Sequence, residues 1–426
     1  MLKMTAPLMA TALLAAVVSP AKAAHFSLIH QFDNTNGANP IGGLTMDASG
    51  NLYGTTSTSA TGQGVVFELA PPGLGSTHWH ETRIGFEGLG SKAPVSPRDG
   101  VVFDAAGALY GTSYQGGSHG FGTVYRLQSP SGGSSKWTAT VLHSFADGND
   151  GSYPQSRPLV AADGTLYGVA SAGGSGNCGT LSGTSSTGCG TVFMLTPPVS
   201  PDTTWTFKVI HQFRGGDEGA IPMGALIADS SGVLYGTTFK GGNSDNGMVF
   251  SLTPPPEGQT AWHFRILRRF NGKNGSNPVG NLARDTAGNL YGVTQNGGAA
   301  GIGIVYKLSP PASPGKGWTE TSLLTFPTGV SGAYPAGGLV ENTSGDIFGV
   351  TAHGGEVPDI YGVAFAIEPG QDEIFLHSFS SYGDGANPTG TLFLDTNGDL
   401  YGTAKFGGNT TNCSGGCGTI YKIKLP

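Results

Sequence analysis

Short apolar segments alternate with glycine-rich turns along almost the whole chain. An aromatic–glycine pair returns seven times, at steps of 57, 57, 68, 56, 57 and 53 residues. The pairs are Tyr53-Gly54, Tyr110-Gly111, Tyr167-Gly168, Tyr235-Gly236, Tyr291-Gly292, Phe348-Gly349 and Tyr401-Gly402. A fixed period of this length is typical of folds that repeat one small supersecondary unit around a shared core.

The residues around each aromatic–glycine pair predict two strands joined by a tight turn. In the first copy, Asp47 and Gly50 lie between two segments that are rich in β-forming residues. Asp can accept hydrogen bonds from the turn backbone, and Gly adopts the positive φ that such turns require. A third strand follows and contains a recurrent aromatic residue, which is Phe67 in this copy.

A fourth strand carries a Trp and a Phe in five of the units, and the sixth has Phe379 with Gln371 in place of the Trp. Trp137 and Phe145, for example, are eight residues apart, and an even spacing places both rings on one face of a strand. Each unit therefore has four strands, which we call a, b, c and d in chain order. A four-stranded antiparallel unit of this kind is one blade of a β-propeller.

The ends of the chain predict that seven blades close into a ring. The last unit stops after its strand c, and a spare strand d, Phe26–Phe32, stands near the start of the chain. Pairing these two segments would complete blade seven and remove an exposed sheet edge. We therefore predict an all-β fold, a seven-bladed β-propeller of four-stranded blades, formed as a single domain by residues 24–426.

These blocks resemble the Gloeo/Verruco (GloVer) tandem repeats of exported bacterial proteins. The resemblance rests on Asn277-Pro278-Val279-Gly280-Asn281-Leu282, on Asp285 with Gly288-Asn289-Leu290-Tyr291-Gly292, and on Gly190-Thr191-Val192-Phe193. It extends over residues 25–426. The resemblance implies an exported β-propeller-like protein, and it implies no particular activity.

The first 23 residues predict a signal peptide. Lys3 is followed by an apolar run over residues 6–18, and Ala21-Lys22-Ala23 matches the small-x-small cleavage pattern. The run is too short for a spanning helix, and the mature chain contains no longer apolar stretch. We therefore expect export, to the periplasm or the cell exterior, without a membrane span.

The net charge and the composition limit the classes of partner that we expect. The formal net charge is −7, and removal of Lys3 and Lys22 leaves it more negative. Without a basic patch, nucleic acid is not an expected partner. The expected partners are a glycan, a surface polymer or an envelope protein, and we expect a monomer.

All four cysteines fall in the loops between strands b and c. Cys178 and Cys189 belong to blade three, and Cys413 and Cys417 to blade seven. Blades three and seven are not neighbours in a ring of seven, so pairing between them is excluded by distance. We therefore predict two local disulfides, which an exported protein can keep.

Loops rich in Asp, Asn and Gly join strand d of one blade to strand a of the next. Such loops can bind hydroxyl groups of a glycan or hold Ca²⁺, although turn formation alone explains the same composition. The candidate binding residues are Asn36, Asp147, Asp150, Asp217, Glu218 and Asp384. Ca²⁺ is the only cofactor that these loops suggest.

No sequence motif predicts a catalytic site. The chain lacks a Gly-x-Ser-x-Gly elbow and an HExxH pair. The recurrent His30, His143, His211 and His377 occupy one blade position, which favours packing over metal binding. We predict a non-catalytic scaffold that binds its ligand on the face formed by the d–a and b–c loops. The alternatives are a lyase or glycoside hydrolase at the mouth of the central channel, and a structural envelope component.

Overall fold

The computed structural model describes residues 24–86, 88–130, 136–179, 186–242, 244–313, 315–327, 332–355, 361–370, 373–380 and 383–426. The predicted signal peptide, residues 1–23, lies outside the described residues. The described chain forms seven antiparallel sheets, each with the strand order a-b-c-d. These are the seven four-stranded blades of a β-propeller, as the sequence predicts.

The bounds of the strands follow the repeat. They are Thr45–Met46, Leu52–Thr56, Val65–Ala70 and His80–Ile84 in blade one; Val102–Phe103, Leu109–Ser113, Thr123–Gln128 and Thr138–Ser144 in blade two; Leu159–Val160, Leu166–Ala170, Thr191–Thr196 and Thr206–Gln212 in blade three; and Ala220–Pro222 with Ile227–Ala228, Leu234–Lys240, Met248–Thr253 and His263–Arg269 in blade four.

The remaining blades repeat the same order. Blade five has Ser276–Arg284, Leu290–Asn296, Ile304–Ser309 and Thr319–Thr325; blade six has Gly332–Pro335 with Val340–Glu341, Ile347–Gly354, Val363–Ile367 and Glu373–Ser378; and blade seven has Ala386–Pro388 with Phe393–Leu394, Asp399–Phe406, Thr419–Lys424 and His25–Gln31. A small ribbon pairs Pro94–Val95 with Gln115–Gly116. Short 3-10 turns lie at Gly90–Lys92, Gly148–Asp150 and Gly216–Glu218.

The first strand of the chain closes the ring. His25–Gln31 pairs antiparallel with Thr419–Lys424, with His25 opposite Lys424 and Gln31 opposite Thr419. The N-terminal strand therefore is strand d of blade seven, and the predicted closure is confirmed. Phe32 after this strand is fully buried, as are its counterparts in other blades, such as Phe145 and Phe213.

The recurrent polar and aromatic residues join each turn to its sheet. Asp47 accepts hydrogen bonds from the amides of Ser49 and Asn51 at 2.8 and 2.9 Å, and the Tyr53 hydroxyl donates to the same carboxylate at 3.1 Å. The Tyr53 ring then meets Trp137 of the next blade edge to face, with 5.9 Å between centroids. The same contact recurs in the pairs Tyr110–Trp205, Tyr167–Trp262 and Tyr235–Trp318. The strand-d Trp residues therefore pack between blades.

Strand a lies next to the central axis and is interrupted in most blades. The residue that precedes its Pro has a positive φ in all seven copies, with values between 53° and 58°. These residues are Asn39, Ser96, Tyr153, Ile221, Asn277, Tyr334 and Asn387. A positive φ is costly for residues other than Gly, so seven identical occurrences mark a conformation that the ring imposes on the chain.

Candidate functional site

The Pro of strand a places the following residues around the channel. The residue directly after each Pro lines one cavity of about 300 Å³, and all seven copies contribute to it. These residues, which we call the mouth ring, are Ile41, Arg98, Gln155, Met223, Val279, Ala336 and Thr389. The cavity is therefore the mouth of the channel on the face of the d–a and b–c loops.

Close backbone packing narrows the channel just below the mouth ring. A Cβ atom added at Gly42 would lie 2.3 Å from the Gly100 nitrogen, and one at Gly224 would lie 2.1 Å from the Gly280 carbonyl oxygen. A Cβ atom cannot lie this close to a backbone atom, so glycine is required at these two contacts between neighbouring blades. The mouth is consequently a shallow cup with a narrow floor.

Asp99 stands in the position that glycine fills in five of the seven copies, and its carboxylate joins three blades. Its Oδ1 accepts from the amides of Gly43 at 3.2 Å and Gly100 at 2.7 Å, and its Oδ2 accepts from the Arg157 amide at 3.0 Å. The Asp99 carboxylate is therefore held by structural hydrogen bonds at the floor of the cup.

Two basic side chains line the same cavity. Arg98 is exposed, and its guanidinium lies 3.7 Å above the ring centroid of Tyr114. Lys405 is partly buried, and its ammonium lies 4.8 Å from the ring centroid of Phe406. Burial, and then the neighbouring charge of Arg98, lower the pKa of Lys405. The positive charges of Lys405 in blade seven and Arg98 in blade two therefore repel each other across blade one.

A third cation, Arg157, lies near the floor but lines a separate cavity of about 430 Å³ instead of the mouth. A Cβ atom on Gly43 would be 3.2 Å from a guanidinium nitrogen of Arg157, so this side chain reaches the inner strand of blade one. Within the described part of the chain, no carboxylate forms an ion pair with Arg98, Arg157 or Lys405. Gln155, Asn281 and Thr391 add polar groups to the mouth, while Met223 and Val279 make one side apolar.

A second depression continues outward from the mouth. It has a volume of about 380 Å³ and shares Arg98, Gln155 and Met223 with the first cavity. Tyr114, Phe239 and Cys178 lie further along it. The two depressions form one polar and aromatic surface that extends from the axis to blades three and four.

The predicted loop residues lie on this face, away from the mouth. The Asp147 carboxylate accepts from the hydroxyls of Ser152 at 3.0 Å and Ser186 at 2.6 Å. Asp150 contacts His143 at 3.2 Å, and Asp384 contacts His377 at 3.1 Å. These three carboxylates are already engaged within the fold.

The other predicted loop residues are spread around the ring. Asn36 donates to Glu81 at 2.6 Å. Glu218 lies 4.0 Å from the Arg214 side chain, and Asp217 is exposed. The six candidates do not converge on one point, and the described residues contain no cluster of three or more His, Cys, Asp or Glu side chains that could hold a metal. The Ca²⁺ prediction stays untested.

The recurrent histidines pack between blades. His143 stacks on Phe207 with 3.7 Å between centroids, and His377 stacks on Phe26 at 3.8 Å. His211 stacks on Phe264 at 4.2 Å, and its Nε2 is buried without a hydrogen-bond partner among the described residues. Burial, and then Arg214, lower the pKa of His211 to about 4.

Two disulfides hold b–c loops on the same face. Cys178 pairs with Cys189, and Cys413 pairs with Cys417, with Cα–Cα distances of 5.1 and 5.2 Å. Both pairings are as the sequence predicts. Disulfides indicate that the protein matures in an oxidising compartment. None of the helical turns in the described part of the chain has the length or apolarity of a membrane-crossing helix.

Sequence reasoning missed Arg98, Asp99, Arg157 and Lys405. Each is a departure from a repeated position rather than part of a motif. Comparison of the seven copies at the three residues after the strand-a Pro would have found the first three, because the other copies have uncharged residues at those positions.

The fold and its repeated inner strands define a seven-bladed propeller built from tandem copies of one unit. The sequence pattern described as the Gloeobacter/Verrucomicrobia repeat matches residues 17–182, 96–264 and 256–426. The chain belongs to this repeat family.

Solved structures with a similar fold include three enzymes. A putative oxidoreductase (glucose dehydrogenase) from Thermus thermophilus is 12% identical, with 94% of this chain and 100% of that chain covered and a TM-score of 0.42. The PQQ-bound aldose sugar dehydrogenase from Streptomyces coelicolor is 11% identical, with 95% and 99% covered and a TM-score of 0.43. A luciferin-regenerating enzyme is 12% identical, with 94% and 95% covered and a TM-score of 0.44. No curated protein matches the sequence. Likenesses at this level carry no argument about activity.

Proposed function

We propose that this protein is an exported, non-catalytic scaffold that binds an acidic glycan or surface polysaccharide at the channel mouth. The observation that carries the proposal is the pair of cations in the mouth cavity, Arg98 and Lys405, for which the described residues supply no ion-paired carboxylate. Uncompensated positive charge in a partly buried cup favours an anionic ligand.

The overall charge sharpens this argument. The chain carries a formal net charge of −7, so a local excess of positive charge at the mouth runs against the composition of the whole. Burial, and then the neighbouring charge of Arg98, lower the pKa of Lys405, so a nearby anion would favour its charged form. A carboxylate bound between the two cations would relieve their repulsion and accept charge-assisted hydrogen bonds.

The remaining lining suits a saccharide. Gln155, Asn281 and Thr391 offer donors and acceptors for hydroxyl groups, and Tyr114, whose ring is covered on one face by Arg98, lines the adjoining depression. Sites for sugar-like ligands combine a few polar groups with an apolar or aromatic wall. The signal-peptide prediction for residues 1–23 and the two disulfides fit a protein that meets such polymers outside the cytoplasm.

The hydrolase alternative requires two carboxylates, or a carboxylate and a His, near the axis. The residues that line the mouth contribute one carboxylate, that of Asp99, and it accepts three backbone amides. Its oxygens are occupied by these structural hydrogen bonds, and among the described residues no second carboxylate or His lines the mouth beside it. This is why binding is proposed and catalysis is not.

Calorimetric titration with an acidic oligosaccharide tests the proposal. We expect oligogalacturonate to bind and its fully methyl-esterified form, which lacks the charges, to bind at least tenfold more weakly. Arg98→Gln and Lys405→Gln should each weaken binding of the acidic form about tenfold, because each removes one charge-assisted contact. The matched control is Arg214→Gln, which removes an exposed arginine from an outer d–a loop on the same face.

Equal affinity for the acidic and the esterified oligomers would overturn the anionic ligand. An equal loss of affinity in Arg214→Gln and Arg98→Gln would overturn the channel mouth as the site. Binding should also weaken as salt increases, because exposed charges are screened over about 10 Å at 0.1 M ionic strength.

A further inference from the structure

The contact between blades six and seven differs from the others at three repeated positions. In four described contacts a strand-d Trp packs on the strand-b Tyr of the preceding blade, as Trp318 does on Tyr235. At the contact between blades six and seven the strand-b aromatic is Phe348. The position eight residues before Phe32, where the Trp would stand, is occupied by Ala24.

The cross-strand neighbour of this aromatic is also smaller. Phe348 lies opposite Ala366 on strand c. Larger or polar residues occupy that position in the other blades, namely Glu68, Arg126, Met194, Ser251, Lys307 and Lys422. Two side chains that fill the space in other blades are therefore reduced to methyl groups at one contact.

The result is an open apolar groove on the face of the a–b turns, opposite the channel mouth. Its volume is about 560 Å³, and its floor is formed by Ala24, Phe348, Ala366 and Leu425. Ile374 and Phe375 form one wall and are 36% and 43% exposed, which is unusual for such large apolar side chains in this protein. An engineered apolar cavity of about 150 Å³ is enough to bind benzene.

Acidic groups stand at the rim of the groove. Asp346 and Glu368 both line it, and Glu368 is exposed, while none of the residues described as lining the groove is basic. The side-chain amide of Asn342 donates to the Asp346 carboxylate at 2.8 Å and holds that carboxylate at the edge of the groove. The rim side chains thus carry two carboxylates against the single α-ammonium that the predicted cleavage before Ala24 would leave on the floor, so the groove keeps a charge that complements a cation.

We propose that this groove is a binding site for a small aromatic amine. The aromatic ring occupies the space that Trp137, Trp205, Trp262 and Trp318 fill at the equivalent contacts, and it packs against Phe348. The ammonium group faces Asp346 and Glu368. Paired aromatic rings attract each other beyond the effect of the area they bury, and the charge-assisted hydrogen bond from an ammonium to a carboxylate fixes the orientation of the ligand.

The experiment measures binding of three probes with one indole ring and different charges, by saturation-transfer NMR on the full mature chain. Tryptamine carries a positive charge, indole is neutral and indole-3-acetate is negative. We expect tryptamine to bind at least threefold more tightly than indole, and indole-3-acetate to bind most weakly. Glu368→Gln should remove most of the difference between tryptamine and indole.

A matched pair of variants locates the site. Ala366→Met fills the groove with the residue that blade three carries there, Met194, and it should weaken tryptamine binding at least tenfold. Ser251→Met makes the same substitution at the equivalent position of blade four, where Trp318 already fills the contact, and it should leave binding unchanged. Thermal unfolding of both variants reports that the fold is retained.

Three results would overturn the proposal: no binding of any indole probe, full binding in Ala366→Met, or tighter binding of indole-3-acetate than of tryptamine. The site lies on the opposite face from the channel mouth. Its failure would therefore leave the oligosaccharide proposal standing, and the reverse also holds.

Discussion

The channel mouth and the outer d–a loops lie on one face of the ring, yet they use charge differently. In the outer loops, Asp147 accepts from two Ser hydroxyls, and Asp150 contacts His143. At the mouth, Arg98 and Lys405 have no ion-paired carboxylate within the described chain. The comparison teaches that polar composition alone does not locate a binding site. Charge that the fold leaves uncompensated is the better guide.

The largest stability effect is expected from Asp99, which anchors the floor of the mouth. Asp99→Ala removes the acceptor for three backbone amides, and it should lower the free energy of unfolding by about 2–4 kcal/mol. Asp217→Ala, in an exposed outer loop, should change it by less than about 0.5 kcal/mol. Urea unfolding of both variants measures the difference. A similar loss of unfolding free energy in the two variants would show that Asp99 contributes no more to stability than an exposed loop residue does.

Glu373 extends the comparison to the outer strands. Glu81 and Glu320 stand at related positions on strand d, where Glu81 contacts His30 at 3.1 Å and Glu320 contacts Arg268. Glu373, in contrast, forms no ion pair with a described residue, and its Oε1 atom is buried without a hydrogen-bond partner among them. Burial raises the pKa of Glu373 to about 7.

Stability should therefore fall as pH rises from about 4.5 to 7, because the native protein holds this proton more tightly than the unfolded chain does. Glu373→Gln mimics the protonated side chain, so it should gain about 1–2 kcal/mol over the wild type at pH 8 and little at pH 4.5. Denaturant unfolding at the two pH values measures this gain. A pH-independent effect of the substitution would contradict the assignment.

His211 is expected to have the opposite pH dependence. Its pKa of about 4 lies below the ordinary value of 6.5. The unfolded chain therefore binds the proton first, and stability is lost as pH falls from 6.5 towards 4. His211→Gln should reduce the loss between pH 7 and pH 5 by about 1 kcal/mol. Thermal or denaturant unfolding between pH 7 and pH 5 tests this expectation. An unchanged dependence of the unfolding free energy on pH in His211→Gln would show that His211 does not have a lowered pKa.

The smallest expected effect is at Asp150. Asp150→Asn weakens the contact with His143 and the acceptance of the Ala146 amide, which should cost about 1 kcal/mol of stability. It should not change the affinity for an acidic oligosaccharide, because the side chain is engaged within the loop. A tenfold change in affinity would return the outer loops to consideration as the binding site.

The fold could be predicted from the sequence because the seven copies of the repeat carry the same pattern of strands and turns. The Asp, Gly and Tyr of each turn predict two strands, and the spare strand at Phe26–Phe32 predicts the closure that its pairing with Thr419–Lys424 confirms. Each prediction was repeated several times along the chain, so an ambiguous copy such as blade six could be placed by its neighbours.

The proposed binding surface could not be predicted in the same way, because it depends on departures from the repeat. Arg98 and Lys405 belong to blades two and seven, at opposite ends of the chain, and only the closed ring brings both to one cavity. The sequence suggests the loop carboxylates as binding residues because it does not show the hydrogen bonds and ion pairs that they form within the fold. Asp384, for example, contacts a His seven residues earlier, and that contact depends on the bend between strand and loop.

The central claim, that the acidic ligand binds at the channel mouth, is tested most directly by hydrogen–deuterium exchange of the full mature chain with and without oligogalacturonate. The account predicts slower exchange in residues 96–100 and 403–407 when the ligand is present, and unchanged exchange in the outer loops at 146–151 and 214–219. Protection confined to the outer loops, with the mouth unchanged, would contradict it.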